Sequence, residues 1–344
     1  MSWWVPRTAF ALLTVLTLVG FFLLLQAVKI TGIFIGRPPA LVLLDPRTDR
    51  PMQALYQLEA QAARAGWTPE NRRLAGDLWR SAGDLTQAVA YWETAEPTAP
   101  VLRDLAQAYI ELQRWSNAES ALQRLLPLLP PGASDRSWAQ FQLGLIRAAY
   151  NPASARDLLR AAQPAYGDSV TTLLPLLEAT DDPTRIGIAL ANAGLWSYAE
   201  LAFSAAADPL ASAYAGLARD MQGKDGGAWI ENALAFAPEN PQVYFLHGLH
   251  LRLKFDFAGS LQAITQAVAL DPENPALYAE LGRAYQLSGD LVSAERWLKF
   301  AVTLDDNFQT LLDSFYEDEA TLLRDMGLMD EASLPFDATL SPER

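Results

Sequence analysis

The chain has 344 residues, 51% of them hydrophobic, and carries a formal charge of −14. It is long and apolar enough for a large core, and the absence of cysteine removes disulfides, zinc ribbons and thiol catalysis. The negative charge argues against a nucleic-acid binder, which needs a basic face.

A short tail, 1–7, precedes an uncharged run of 21 residues from Thr8 to Val28. At about 1.5 Å per residue that run spans about 30 Å, the thickness of a bilayer's hydrocarbon core. A single transmembrane helix is therefore expected over 8–29, with Trp3 and Trp4 at the interface and Arg7 and Lys29 at its ends. A cleaved signal peptide fits less well, because the run is long and Leu25-Gln26-Ala27 is a poor small-x-small site. The near flanks, the α-amine and Arg7 against Lys29 and Arg37, are balanced, and Arg47 and Arg50 favour a cytoplasmic location for the rest of the chain. Long soluble domains cross largely regardless of charge, so the expectation is a single-pass protein of the cell membrane with its bulk on the extracytoplasmic side. Residues 30–51, broken by Gly32, Gly36, Pro38, Pro39, Pro46 and Pro51, form a linker.

From 52 to 306 the pattern is helix, short turn, helix, repeated. Met52 to Ala65 opens it, followed by Trp67 and a Thr68-Pro69 start signal. Pro69 begins a unit containing Gly76, Trp79, Gly83-Asp84, Ala88, Trp92 and Ala95. Leu105-Ala106, Tyr109, Ala118, Leu122 and Pro130 mark a second, and Leu143-Gly144, Ala155, Leu159 and Ala162 a shortened third. Ile186-Gly187 to Ala206 gives a fourth, and Ala215-Gly216, Ile230, Ala233 and Pro238 a degenerate fifth. The last two units are the most regular. Pro-Glu-Asn-Pro occurs at 238–241 and again at 272–275, an offset of 34 residues, with a tyrosine (Tyr244, Tyr278) and a glycine (Gly248, Gly282) following each copy at the same distances. In each, Asn is a natural N-cap and Pro fits the first helical position. Residues 307–330 are predicted to form a capping helix with Leu311, Leu312, Phe315 and Leu322 inward, and 331–344 a flexible acidic tail. From Asp305 onward eleven acidic residues face only Arg324 and Arg344, which reads first as a solvated face and second as a docking surface.

The seventh unit, with Tyr278, Leu281-Gly282, Tyr285, then Ala294, Leu298 and Ala301, resembles the tetratricopeptide repeat, and the 34-residue offset is that family's period. It departs from the pattern where Asp306 replaces the usual proline. The resemblance implies an all-α, right-handed α-α superhelix, a TPR-like solenoid of about seven helix pairs, here preceded by the single transmembrane helix. It also implies a concave groove lined by the first helix of each pair. Resemblance and helical spacing together put Arg73, Asp77 and Arg80 there in the first unit, and Arg103 and Gln107 in the second. Trp138, Phe141 and Leu145 follow in the third, Phe245, Leu249 and Arg252 in the sixth, and Arg283 in the seventh. Arginines at both ends with an aromatic middle suit a protein or peptide partner of acidic and apolar character; the competing reading is that they only offset neighbouring acids. The four lysines, Lys29, Lys224, Lys254 and Lys299, do not form the clamp that some family members use on chaperone tails. Few lysines beside many arginines and alanines is a habit of GC-rich bacteria.

Catalytic patterns are nearly absent, with no G-x-S-x-G, Walker A or H-E-x-x-H sequence. His247 and His250, three apart on one helix, read as packing rather than as metal ligands, so no metal and no cofactor is expected. The expected role is a non-enzymatic scaffold that assembles an envelope complex. The alternatives are a biogenesis or quality-control factor capturing client polypeptides, in secretion or cytochrome maturation for instance, and an accessory subunit of an enzyme.

Overall fold

Proline and a short polar cap start most of the first helices. The computed structural model describes residues 50–325, with side chains through Asp318, and every regular element among them is helical. The helices are α1 (Arg50–Ala65), α2 (Pro69–Ser81), α3 (Leu85–Trp92), α4 (Ala99–Glu111), α5 (Trp115–Leu125), α6 (Ser134–Ala148), α7 (Pro152–Ala179) and α8 (Pro183–Asn192). They continue as α9 (Trp196–Ala205), α10 (Pro209–Asp220), α11 (Gly227–Phe236), α12 (Pro241–Leu253), α13 (Phe257–Leu270), α14 (Pro275–Ser288), α15 (Leu291–Leu304) and α16 (Gln309–Asp325). In α12 and α14 the doubled Asn-Pro acts as its chemistry dictates. Asn240 accepts from the Gln242 amide at 2.9 Å and Asn274 from the Ala276 amide at 3.1 Å. Each satisfies one of the donors that a helix start leaves without an internal partner, while the following proline has no donor to lose. Asp182 likewise caps α8, accepting from the Thr184 amide at 2.9 Å.

The transmembrane helix over 8–29, the linker up to residue 49, the 331–344 tail and Leu322 lie outside the residues or side chains described. Among the described residues no helix is long and apolar enough to cross a membrane.

Six of the turns within helix pairs share one geometry. The residue after the turn's first bend has positive φ, and the next amide reaches back to a carbonyl five residues earlier, as Asp290 does to Tyr285 at 3.0 Å and Asp256 to Leu251 at 2.9 Å. This is the Schellman ending, and glycine suits its left-handed residue because it has no β-carbon to clash. Gly83, Gly194, Gly223 and Gly289 fill that place, but Gln113 (φ 55°) and Phe255 (φ 62°) do so in the second and sixth pairs. Within each pair a small residue on the first helix lets a large side chain of the second lie against its backbone. A β-carbon at Gly282 would sit 2.7 Å from Leu298 Cγ.

The third unit departs from the repeat. The sequence pattern ends it near Ala162, yet α7 runs on to Ala179, with non-helical backbone at Tyr166. A straight helix would put residues 156 and 177 about 31 Å apart. Instead Arg156 Nε donates to the Leu177 carbonyl at 2.6 Å, Arg156 pairs with Asp181 at 2.7 Å, and Arg160 pairs with Glu178. The two halves of α7 therefore lie side by side as a hairpin, and 167–179 is an extra helix whose Val170, Leu173 and Leu177 are buried.

That insertion breaks the one-dimensional stacking. In an undisturbed solenoid each repeat touches only its neighbours. Here the turn between α4 and α5 meets α9 and the turn between α10 and α11. Trp115 lies 5.3 Å from Tyr198 between ring centres, and Gln113 Nε2 donates to Gln222 Oε1 at 2.7 Å. One continuous core accordingly runs from Ala88 to Ala218, whereas the later pairs are held by smaller clusters, such as Ala213, Ala233, Val243 and Leu246. The closing helix α16 seals the far end with Leu312 and Phe315 buried.

Candidate functional site

The first helices of the early pairs carry a row of arginines, each facing an acid. Arg80 Nη1 lies 2.8 Å from Asp104 of α4, and Arg103 Nε 3.0 Å from Asp135 of α6. Arg103 also sits over the Trp138 ring, 5.1 Å from its centre. Arg73 approaches Asp77 on its own helix at 4.0 Å. Burial pushes the Asp104 carboxyl up, and Arg80 only partly reverses this. Asp77 is turned toward the second helix, where it accepts from the buried Trp92 indole at 3.0 Å. Gln107 donates to Glu111 at 2.8 Å. The arginines remain half-exposed, so the row is a surface, though one already complemented by the chain's own carboxylates.

The middle of the expected groove is filled from within. Phe141 and Leu145 are buried, at 7% and 1% exposure. Phe141 stacks on Tyr166, the residue at the α7 bend, with ring centres 4.3 Å apart and planes 3° from parallel. The inserted hairpin, which no repeat pattern announces, thus covers Phe141, and both buried residues belong to packing and not to a groove wall. Trp138 alone of that trio stays partly accessible.

In the sixth and seventh pairs Phe245 and Leu249 are partly buried against the clusters that join neighbouring repeats. Arg252 pairs with Glu280 of α14, a buried carboxylate, and Arg283 lies 3.9 Å from the same group. Burial raises the Glu280 carboxyl, and the two guanidinium groups oppose that. His247 is held below its ordinary value by burial and then by His250. His250 finds an acid that sequence reasoning did not identify: its Nδ1 is 2.6 Å from Asp220 Oδ2, with Lys254 3.5 Å from the other oxygen. This ties the sixth pair to the fifth.

A second feature was also missed. Counting two residues back from the left-handed turn residue gives Ser81, Glu111 and Asn192 in the first, second and fourth pairs, and Met221, Leu253 and Leu287 in the fifth, sixth and seventh. These three large apolar side chains are exposed to 44%, 41% and 45%. Phe255, at 80% exposure, and the exposed Val292 stand beside the last two. The signal was present in the sequence, since Leu253 and Leu287 are separated by the same 34 residues as the Pro-Glu-Asn-Pro copies. These positions lie outside the packing residues that define the repeat, so the repeat pattern does not announce them. Phe255 contributes little to its turn, since a non-glycine residue in the left-handed region costs about 1–2 kcal/mol. Phe255→Gly should leave stability unchanged or raise it by about 1 kcal/mol, measured by urea unfolding.

Residues 251–310 match the family model of the tetratricopeptide repeat. No curated protein matches the chain. Among solved structures, a tetratricopeptide repeat protein from Parabacteroides merdae is 15% identical, with 77% of this chain and 92% of that one covered and a TM-score of 0.32. The Cut9-Hcn1 hetero-tetramer of the APC/C is 13% identical over 80% of this chain and 88% of its own, with a TM-score of 0.36. MamA from residue 41 to its end, from Desulfovibrio magneticus RS-1, is 15% identical over 70% of this chain and 96% of that one, with a TM-score of 0.24.

Proposed function

We propose that the chain is a membrane-tethered, non-enzymatic helical-repeat scaffold that brings together the subunits of an envelope complex. The uncharged run from Thr8 to Val28 supplies the tether, and the paired helices the binding surface, held on the extracytoplasmic side. The observation that carries the binding role is the row Arg73, Arg80, Arg103 and Trp138. Two guanidinium groups are held in place by the acids of the following repeat while half their surface stays open. An acidic segment with an aromatic or aliphatic residue can take up the remaining donors and lie on Trp138 without reorganising the row, which lowers the ordering cost of binding.

Exchanging both charges, Arg73→Glu with Arg103→Glu, should weaken partner capture about tenfold or more while the helical content stays constant. Affinity purification from membranes with quantified partners checks this, and unchanged partner composition would refute the assignment of the row. Stoichiometry in the same purification separates stable assembly from transient client capture.

A further inference from the structure

We propose that Met221, Leu253 and Leu287 form a docking ladder for an amphipathic helix that presents apolar residues at heptad spacing between basic ones. The inference rests on the scaffold reading but not on the arginine row, which lies on other repeats.

Three consecutive pairs place a large, flexible or branched apolar side chain at one structural position, while the three earlier pairs with the same turn place Ser81, Glu111 and Asn192 there. Packing does not require the apolar residues, because all three are more than 40% exposed. Phe255 and Val292 widen the strip at its far end. Phe255 occupies a left-handed position that glycine takes in four of the six equivalent turns.

Spacing selects the occupant. Helices packed side by side lie about 8–10 Å apart, and that distance sets the step from one rung to the next. Seven residues of α-helix rise about 10.5 Å, so side chains seven apart meet successive rungs from one face. An extended strand advances about 3.3 Å per residue and needs three residues per rung, which turns alternate rungs to its opposite face. A polyproline helix matches the spacing at about 9.3 Å per turn but is received by aromatic-lined grooves, whereas these rungs are aliphatic and methionine.

Charge selects the flanks. The cations near the ladder are already engaged: Arg219 and Lys224 with Glu200, Arg252 and Arg283 with Glu280, and Lys254 with Asp220 and Asp225. Asp256 and Asp290 stand exposed at the helix starts beside the second and third rungs, each capping backbone amides with its carboxylate. Beyond the third rung α16 adds Asp313 and Asp318. A helix with lysine or arginine beside its apolar stripe complements this border.

The test uses the full-length chain in lipid nanodiscs, with empty nanodiscs as the blank, and a labelled three-heptad peptide bearing leucine every seventh residue between lysines. Binding should be saturable, and Leu253→Ser with Leu287→Ser should weaken it about tenfold or more. Arg73→Glu with Arg103→Glu should leave it unchanged, so failure of the ladder and failure of the arginine row are told apart. Equal binding by a peptide with leucine every fifth residue, by a proline-rich basic peptide or by one with glutamate flanks would overturn the proposal. So would full affinity in the serine variant, or self-association of the chain that the serine variant abolishes, which would assign the strip to a second copy.

Discussion

Gly226→Ala destabilises the protein by about 3 kcal/mol or more, whereas Gly227→Ala, one residue on, is neutral or slightly stabilising. A β-carbon at Gly226 would lie 2.0 Å from the Gly216 carbonyl oxygen and 2.6 Å from its carbon. Both obstacles are backbone, so no rotamer change relieves them; α10 and α11 must separate. Such a separation also disturbs Ile230, which is fully buried, and the Asp220 oxygen that accepts from the Gly226 amide at 3.1 Å. At Gly227 the nearest atoms are the Asp225 carboxylate at 3.5 Å and the His250 ring at 3.6 Å, ordinary contact distances. Gly227 opens α11, where alanine reduces the entropy of the unfolded chain. Urea unfolding of the two variants side by side checks the contrast. Equal midpoints would show that the close approach of α10 and α11 is not a constraint on the fold.

The same pair of glycines shows what was readable in the sequence. A Gly-Gly near Lys224 could be recognised as a turn between helices, because glycine is a local breaker. Which glycine touched another backbone could not, since that depends on the crossing of two helices whose residues give only a loose repeat. The regular units were legible down to their caps: Asn274, Gly289 and Asp290 do what their chemistry requires in α14 and α15. The α7 hairpin was not. Pro164 and Gly167 mark the bend, but Val170, Leu173 and Leu177 belong to a helix outside any repeat, and the 34-residue period cannot register an insertion. Repeat position alone points Phe141 and Leu145 to a groove, but both are buried, Phe141 beneath Tyr166 of the inserted segment. For the surface, spacing found the arginines but not the acids that meet them, because Asp104 and Asp135 come from the next unit along.

Removing the Glu200 carboxylate should open the contact between the second pair and the fifth. Glu200 gathers Arg219 at 2.7 Å, Gln222 at 2.8 Å and Lys224 at 3.4 Å, and Lys224 and Gln222 in turn hold Gln113, more than a hundred residues away in sequence. Gln113 accepts the left-handed turn position where four other turns have glycine, and this network is what its side chain gains there. Glu200→Ala leaves two cations partly buried without their acid and should cost about 2–3 kcal/mol. Hydrogen exchange should localise the effect, with protection falling at residues 112–115 and 222–224 and staying constant in α14 and α15. The pH dependence follows from the carboxyl's environment. Burial by itself raises it, but the hydrogen bonds from Gln222 and Arg219 and the Lys224 charge outweigh burial and hold it below its ordinary value. The folded protein therefore binds fewer protons at this site than the unfolded chain does as pH falls through the carboxylate range. Its stabilisation is complete above the unfolded value, near 4.5, and is lost as pH falls through the lower folded value. Glu200→Gln keeps the shape and removes the titration, so the stability gap between it and the native chain should close as pH drops from 7 to about 3. A gap that stays constant over that range would mean the network holds the two stretches together by shape and hydrogen bonding alone, without the charge.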